Sequence, residues 1–278
     1  MQVPTIDFRS PMAPQAFTQS LRQTGFAVLS YHPIDMQMVQ DIYREWEAFF
    51  NSPGKFDYLF DRQLQDGYFP FLSENAKDSS HKDLKEFFHV YPWGRYPALL
   101  SSATKEIYRD LSALAEILLA WVEQHTPRDI AETFSMPLAQ MIANSRMTLL
   151  RILHYPPLSG QEHSGSVRAA PHEDINLITL LPAATAPGLQ VKDTRGNWHE
   201  VHCDPGTLVV NVGDMLQICS DGYYPSTTHR VMNPTGSAAK QARLSMPLFL
   251  HPREEVLLSP EKTARTYLDS RLQALGLL

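Results

Sequence analysis

The chain has 278 residues, 43% hydrophobic and 19% charged, which is an ordinary composition for one large globular domain. Its net charge is −6 and no cluster of Lys and Arg stands out, which argues against a nucleic-acid-binding surface. Its two cysteines, Cys203 and Cys219, give no disulfide framework and favour a reducing compartment.

The N-terminus and the apolar windows predict neither export nor membrane insertion. The first ten residues lack the basic and apolar regions of a signal peptide. The most apolar helical window, 111–122, contains Glu116 and is too short to span a bilayer. We therefore expect a soluble, cytoplasmic protein without a membrane or nucleic-acid partner, and the sequence leaves its oligomeric state open.

Residues 1–145 are predicted to form a mostly helical region with edge strands. An aromatic stripe around Trp46 repeats at helical spacing and is expected to pack in the core. Segment 55–97 is weakly periodic and rich in polar and aromatic residues, which is typical either of a functional lid or of a packed connection. The predicted elements are helices at 13–24, 34–50 and 98–125 and strands at 3–8 and 27–30.

From residue 146 the hydrophobic pattern changes to a period of two, with Pro and Gly at the turns. Eight short strands predict a mainly β fold with flanking α-helices, whose core is a double-sheet jelly roll over 146–255. A final helix is expected within 260–278, and no linker divides the domain 1–278. The predicted strands are 147–155, 175–181, 189–192, 198–202, 208–212, 217–219, 228–232 and 243–250.

A His-x-Asp motif, His172 and Asp174, leads directly into the apolar segment 175–181. Side chains two apart on a strand share one face, so on a strand these two could bind the same ion. With one distant histidine they make the 2-His-1-carboxylate triad, which holds Fe(II) and leaves other positions open. Two further His-x-Asp pairs, at 81–83 and 202–204, lack a following strand pattern and are interpreted as surface residues.

The third ligand is expected far along the chain, on another strand. His229 lies 55 residues after Asp174, and fourteen residues later Arg243 and Ser245 repeat the spacing of two. A planar guanidinium binds both oxygens of a carboxylate, and a serine hydroxyl adds a further hydrogen bond. The ordered set of His-x-Asp, His and Arg-x-Ser therefore predicts a metal centre with a carboxylate receptor.

At these residues the chain resembles the iron(II)- and 2-oxoglutarate-dependent oxygenases, in the branch similar to isopenicillin N synthase. The resemblance follows family order over nearly the whole chain. It implies a double-stranded β-helix core and a dioxygenase that uses Fe(II), 2-oxoglutarate and O2. The other similar segments are VPTIDF (3–8), GFAV (25–28) with His32, GY (67–68), DLKE (83–86), LRILHYPP (150–157), GLQV (188–191), VNVGD (210–214) and Phe249.

The resemblance also implies roles for single residues. Related halogenases have a small residue in place of the ligand Asp174, so hydroxylation or another oxidation is expected here. The implied iron ligands are His172, Asp174 and His229, and the implied 2-oxoglutarate-binding residues are Arg243, Ser245 and Tyr155.

The substrate is expected to be a small metabolite that carries a carboxylate. Arg151 shares a strand face with Tyr155, and because an unpaired buried charge is costly, Arg151 is predicted to pair with an acidic group of the substrate. Phe249 matches an aromatic position that lines the family's substrate pocket, and segment 55–97 matches the region that covers its mouth.

Two alternatives remain open on the sequence. One is an oxidase similar to isopenicillin N synthase, which does not use 2-oxoglutarate and keeps the Arg-x-Ser pair for the carboxylate of its own substrate. The other is a jelly-roll protein that only binds a metabolite, or that holds zinc.

Overall fold

The computed structural model describes residues 1–74, 81–202 and 204–274. The strands are β1 (Thr5–Asp7), β2 (Phe26–Ser30), β3 (Gly67–Phe69), β4 (Glu86–Val90), β5 (Leu149–Tyr155), β6 (Ala169–His172), β7 (Ile178–Pro182), β8 (Leu189–Lys192), β9 (Trp198–Glu200), β10 (Thr207–Val212), β11 (His229–Val231), β12 (Arg243–Ser245), β13 (Leu248–Leu250), β14 (Leu257–Ser259) and β15 (Lys262–Thr263). The helices are α1 (Ala13–Thr24), α2 (Met36–Phe50), α3 (Ala103–His125), α4 (Arg128–Ala131), α5 (Leu138–Ile142), α6 (Asp214–Cys219) and α7 (Ala264–Ala274).

Two sheets carry most of the described strands. The larger sheet has the order β1-β2-β10-β7-β13-β5-β4-β3, and β12 also pairs with β5. The smaller sheet has the order β6-β11-β8-β9. Apolar side chains of β2 and β10 pack with those of β8, so one face of the larger sheet is turned towards the smaller one.

The opposite face of the larger sheet packs against the helices. Leu150 and Ile152 of β5 belong to the same buried cluster as Trp46 of α2 and Leu111 of α3. The Trp46 ring is fully buried, and its Nε1 donates a hydrogen bond of 2.9 Å to Thr104. The aromatic stripe therefore packs in the core, and the predicted sheet-rich fold with flanking helices is confirmed.

Local sequence signals set the start of α2 and the end of α1. The Asp35 side chain accepts hydrogen bonds from the backbone N–H groups of Gln37 and Met38, which caps α2 at its N-terminus. Gly25 ends α1 with φ 72°, and a Cβ there would lie 2.2 Å from the Thr227 hydroxyl oxygen. Glycine thus allows the α1–β2 turn to approach the segment that enters β11.

Several predicted elements were wrong in type or position. Residues 175–177 form a bend, and the strand begins only at Ile178. Residues 217–219 lie in α6, where Gln217 N–H donates to Gly213 C=O in a helical hydrogen bond. The predicted strand 243–250 is divided into β12 and β13, with Pro247, which has no N–H to pair, between them.

The segment 55–97 contains β3 and β4, two buried strands that the sequence pattern did not indicate. Part of this segment, 75–80, lies outside the described residues. The C-terminal helix begins at Ala264 rather than at residue 260, because residues 262–263 pair with β14, and its predicted end, 275–278, is also outside the described residues. Among the helices that the structure describes, none combines the length and apolarity needed to cross a membrane.

Candidate active site

Three potential metal ligands converge between the two sheets. His172 ends β6 and His229 begins β11, and the two residues pair across these neighbouring strands. Asp174 follows β6 by two residues, and its Oδ1 lies 4.0 Å from Nε2 of His172 and 3.7 Å from Nε2 of His229. Within the described ranges this is the only group of three His, Cys, Asp or Glu side chains that could hold a metal ion.

Strand alternation does not bring His172 and Asp174 together, so that part of the sequence argument was wrong. Asp174 lies in a loop, and its C=O accepts a hydrogen bond of 2.7 Å from the backbone N–H of Asp214. A Cβ on Gly213 would lie 2.2 Å from the backbone oxygen of Asn176, so glycine permits the loop to pack closely on the start of α6. Loop packing against α6 therefore directs the Asp174 carboxylate towards the two imidazoles.

Neighbouring groups hold each ligand in the form that binds a metal. Nδ1 of His172 and Nδ1 of His229 donate to the carbonyl oxygens of Ala170 and Thr227, at 2.8 and 3.1 Å, which leaves both Nε2 atoms as acceptors. Burial, with the adjacent His229, lowers the pKa of His172 to about 4. Two neutral imidazoles and one carboxylate are the donor set of a non-haem Fe(II) site.

The Asp174 carboxylate is held ionised by its surroundings. Burial opposes its ionisation, but the charge that His229 and His172 carry when protonated, together with hydrogen bonds from Asn211 and Thr179, outweighs this effect and lowers its pKa. Its Oδ2 accepts from the Thr179 hydroxyl at 2.6 Å and from the Asn211 amide at 2.8 Å. Its Oδ1 is the oxygen that faces both imidazoles. The three candidate ligands, His172, Asp174 and His229, therefore match the requirements of an iron site in charge and in donor type.

A buried cation lies at another part of the same cavity. Arg243 is 2% exposed, and it donates to Ala186 C=O at 2.9 Å and to the Ser245 hydroxyl at 3.1 Å. Its guanidinium carbon lies 5.1 Å from the centre of the Tyr155 ring. Arg243 takes no part in the ion pairs found among the described residues. A buried positive charge without a protein counterion is the arrangement of an anion receptor.

The region of Arg151 differs from the sequence expectation. The prediction assumed an unpaired charge, but Arg151 Nε donates to His89 Nε2 at 3.0 Å and its Nη1 lies 3.5 Å from a Glu74 carboxylate oxygen. Burial and the Arg151 charge lower the pKa of His89 to about 3, so its neutral ring can accept this hydrogen bond. Arg151 also lies over the rings of Phe87 and Phe249, at 4.4 and 5.6 Å.

Lys85 is a pocket residue that the sequence analysis missed. It lines the cavity together with Arg151, and its Nζ lies 2.9 Å from Glu74 and 2.8 Å from Asp83. Asp83 is 2% exposed, so its interpretation as a surface residue was wrong. Its Oδ1 accepts a hydrogen bond from the backbone N–H of Ala170 in β6, the strand that ends in His172. The spacing of Asp83 and Lys85, two apart within the DLKE segment, is the signal that could have identified them.

The remaining residues of the two rejected His-x-Asp pairs lie outside the cavity. His81, His202 and Asp204 are exposed, and Cys203 is not among the described residues.

The structure brings all eight predicted site residues to one cavity between the two sheets. They are His172, Asp174, His229, Arg243, Ser245, Tyr155, Arg151 and Phe249.

Family models match both parts of the chain. Residues 144–252 match the 2OG-Fe(II) oxygenase superfamily, and residues 3–106 match the N-terminal domain described as "non-haem dioxygenase in morphine synthesis". Among characterised proteins, 2-oxoglutarate-dependent dioxygenase 11 of Oryza sativa subsp. japonica is 26% identical over 94% of this chain and 74% of its own length.

Solved structures are similar over nearly the full length. A protein from Shewanella oneidensis described as an oxygenase is 52% identical, with a TM-score of 0.90 and full coverage of both chains. A protein from Caulobacter crescentus described as a member of the 2OG-Fe(II) oxygenase family is 30% identical, with a TM-score of 0.77 and 98% coverage of both chains. The chain therefore belongs to the 2OG-Fe(II) oxygenase superfamily and is an enzyme that uses Fe(II), 2-oxoglutarate and O2.

Proposed function

We propose that this oxygenase hydroxylates a small metabolite that carries a carboxylate, with His172, Asp174 and His229 as the ligands of its Fe(II). The observation that carries the proposal is the single cavity that joins these three side chains to the buried Arg243. We further infer that the strands of the two sheets that lie within 146–255 form a double-stranded β-helix. The whole chain, 1–278, would then be one domain, with the helical region 1–145 and a C-terminal helix within 260–278.

Different parts of the cavity bind the iron and the 2-oxoglutarate. Bound iron would supply the activation of O2, which no side chain can perform. Arg243 and Ser245 bind the distal carboxylate of 2-oxoglutarate, and the Tyr155 ring beside Arg243 forms the adjoining wall. Leu153 and Leu181 line the same cavity and keep it poor in water, which strengthens the charge interactions within it.

Arg151 is the residue proposed to bind the carboxylate of the substrate. Glu74 lies closer to Lys85 than to Arg151, at 2.9 against 3.5 Å, so its charge is shared and Arg151 is only partly neutralised. Among the described residues, no hydrogen bond is made by Nη2 of Arg151, and this donor remains for a ligand. Phe249 supplies an apolar surface next to the guanidinium for the carbon skeleton of the substrate.

Metal and cosubstrate binding test the proposed site directly. Fe(II) and 2-oxoglutarate added without oxygen should give a weak charge-transfer band near roughly 500–530 nm, as expected for iron chelated by a keto acid at such a triad. The variant His229→Ala should lack the band, whereas His202→Ala, at an exposed histidine outside the cavity, should keep it. Retained zinc together with no band in the wild type would favour a zinc-binding protein.

Turnover assays would identify the substrate class and test the remaining alternative, an oxidase that does not use 2-oxoglutarate. Carboxylated metabolites would be screened for the succinate that 2-oxoglutarate oxidation releases, with equivalent neutral amides as controls. We expect succinate to form in a one-to-one ratio with a hydroxylated acid. Oxidation of an acid without succinate release would instead identify an oxidase of the isopenicillin N synthase type.

A further inference from the structure

A second arginine, Arg168, is buried next to the proposed 2-oxoglutarate pocket. It directly precedes β6, the strand that ends in His172, and it is 1% exposed, among the largest fully buried side chains described. Its Nη2 donates to Gln241 C=O at 3.0 Å, but its buried Nε has no hydrogen-bond partner. Most buried polar groups are fully paired, so an unpaired guanidinium nitrogen requires an explanation.

Arg168 shares the surroundings of Arg243. Its guanidinium carbon lies 5.8 Å from the centre of the Tyr155 ring, which the Arg243 guanidinium approaches to 5.1 Å. Among the described residues, Arg168 makes one hydrogen bond, to the backbone of Gln241, which lies two residues before Arg243. Burial, and then the charge of Arg243, lower the pKa of Arg168 to about 10.

The two arginines bring more positive charge to this region than the protein itself balances. The ion pairs found in the described part of the chain include neither Arg168 nor Arg243. Two buried like charges near one ring repel each other, and each has also lost its hydration. A structural role in holding Gln241 C=O would need only a neutral donor, so it does not account for the charge.

We propose that Arg168, which lies beside Tyr155 but does not line the cavity, is a second cation of the 2-oxoglutarate site and acts through its charge, with Arg243, on the distal carboxylate. This inference rests on the proposed function, in which Arg243 and Ser245 bind that carboxylate. It adds a residue outside the Arg-x-Ser pair, and it predicts selectivity for dicarboxylic over monocarboxylic keto acids. The bound anion would supply the negative charge that the pair lacks. Because the unpaired Arg168 Nε is itself buried, Arg168 acts on the anion through its charge and not through a direct hydrogen bond.

Paired keto acids separate a charge effect from a structural one. The anaerobic Fe(II) protein would be titrated with 2-oxoglutarate and with 2-oxopentanoate, in which a methyl group replaces the distal carboxylate, and the charge-transfer band followed. Arg168→Gln should weaken 2-oxoglutarate binding by about tenfold or more, as expected for the loss of a buried positive charge near the carboxylate, and leave 2-oxopentanoate binding within twofold. Arg168→Lys, which keeps the charge, should retain most of the 2-oxoglutarate affinity.

Thermal unfolding gives a second readout that does not depend on iron chemistry. Because Arg168 lacks a protein counterion, Arg168→Met should leave the melting temperature of the ligand-free protein unchanged or raise it. The rise in melting temperature on adding 2-oxoglutarate with Mn(II) should be smaller in Arg168→Met than in the wild type. A purely structural arginine would show a lower melting temperature without ligand and an unchanged rise with it.

The variant Arg243→Gln distinguishes failure of this inference from failure of the proposed site. If Arg243→Gln weakens 2-oxoglutarate binding selectively and Arg168→Gln does not, the charge of Arg168 has no part in 2-oxoglutarate binding and the proposed function stands. If Arg168→Gln weakens both keto acids equally, its role is structural and the inference fails. If neither variant discriminates between the keto acids, the assignment of the distal-carboxylate site is itself wrong.

Discussion

The hydroxyl of Thr179 should control how tightly the protein holds iron. Thr179 is 2% exposed, and its Oγ1 donates to Asp174 Oδ2 at 2.6 Å, beside the Asn211 amide that donates to the same oxygen. The variant Thr179→Val keeps the branched shape and removes the hydroxyl, which donates to Asp174 and also accepts from the Asn176 amide at 3.1 Å. A hydrogen bond to a charged group contributes about 1.5–3 kcal/mol, and loss of such a partner of a metal ligand lowers metal affinity by about 10–100-fold.

The assay is anaerobic competition for Fe(II) against a chelator of known affinity, together with thermal unfolding of the metal-free protein. Thr104→Val is the matched control, since Thr104 is also buried and hydrogen-bonded, to Trp46 in the helical layer away from the cavity. Both variants should lose stability, but only Thr179→Val should lose iron affinity. Iron affinities within twofold of each other in the two variants would refute the view that Thr179 orients the Asp174 carboxylate.

Three further variants test the loop, the substrate contact and the acid stability. Gly213→Ala places a Cβ 2.2 Å from the backbone oxygen of Asn176, so it should destabilise the fold by about 2 kcal/mol or more in denaturant unfolding and weaken Fe(II) binding as the ligand loop shifts; unchanged values would contradict the loop argument. Arg151→Ala should raise the KM for the substrate about tenfold or more and change 2-oxoglutarate affinity less than twofold; an unchanged KM would exclude Arg151 from substrate binding. Burial opposes ionisation of Glu74, but Lys85 and Arg151 outweigh it and lower its pKa from 4.5 to about 2. Its ionised form therefore stabilises the fold above pH 4.5, and that contribution is lost as the pH falls from 4.5 to 2, so Glu74→Gln should be less stable at neutral pH and should flatten the stability–pH curve in that window.

Periodicity predicted the long elements of the fold and failed for the short ones. The helical pattern located α1, α2 and α3 because each buries a wide apolar face against the sheet. Strands β3 and β4 were missed because both are buried on each face, which removes the alternation that marks a strand. Residues 217–219 were wrongly predicted as a strand because three residues cannot distinguish a period of two from a period of 3.6.

For the site, the sequence predicted which residues take part but not how the fold brings them together. The order of His172, Asp174, His229 and the Arg-x-Ser pair was sufficient to indicate the family, and the comparisons confirm it. The reason given for the approach of Asp174 to His172 was wrong, since a loop places the carboxylate. Strand register, which the sequence does not encode locally, pairs His229 with His172.

The sequence by itself predicted the candidate donor atoms and the sheet-rich fold class, because ligand chemistry and hydrophobic periodicity are properties of single residues and short segments. Only the tertiary structure decided which charges face the cavity. It gave Arg151 a partner in Glu74, and it buried Lys85, from a segment distant in the chain, and Arg168, which directly precedes β6, next to the site. The physical reason is that the energy of a buried charge depends on every neighbour within a few ångströms, and those neighbours come from separate strands.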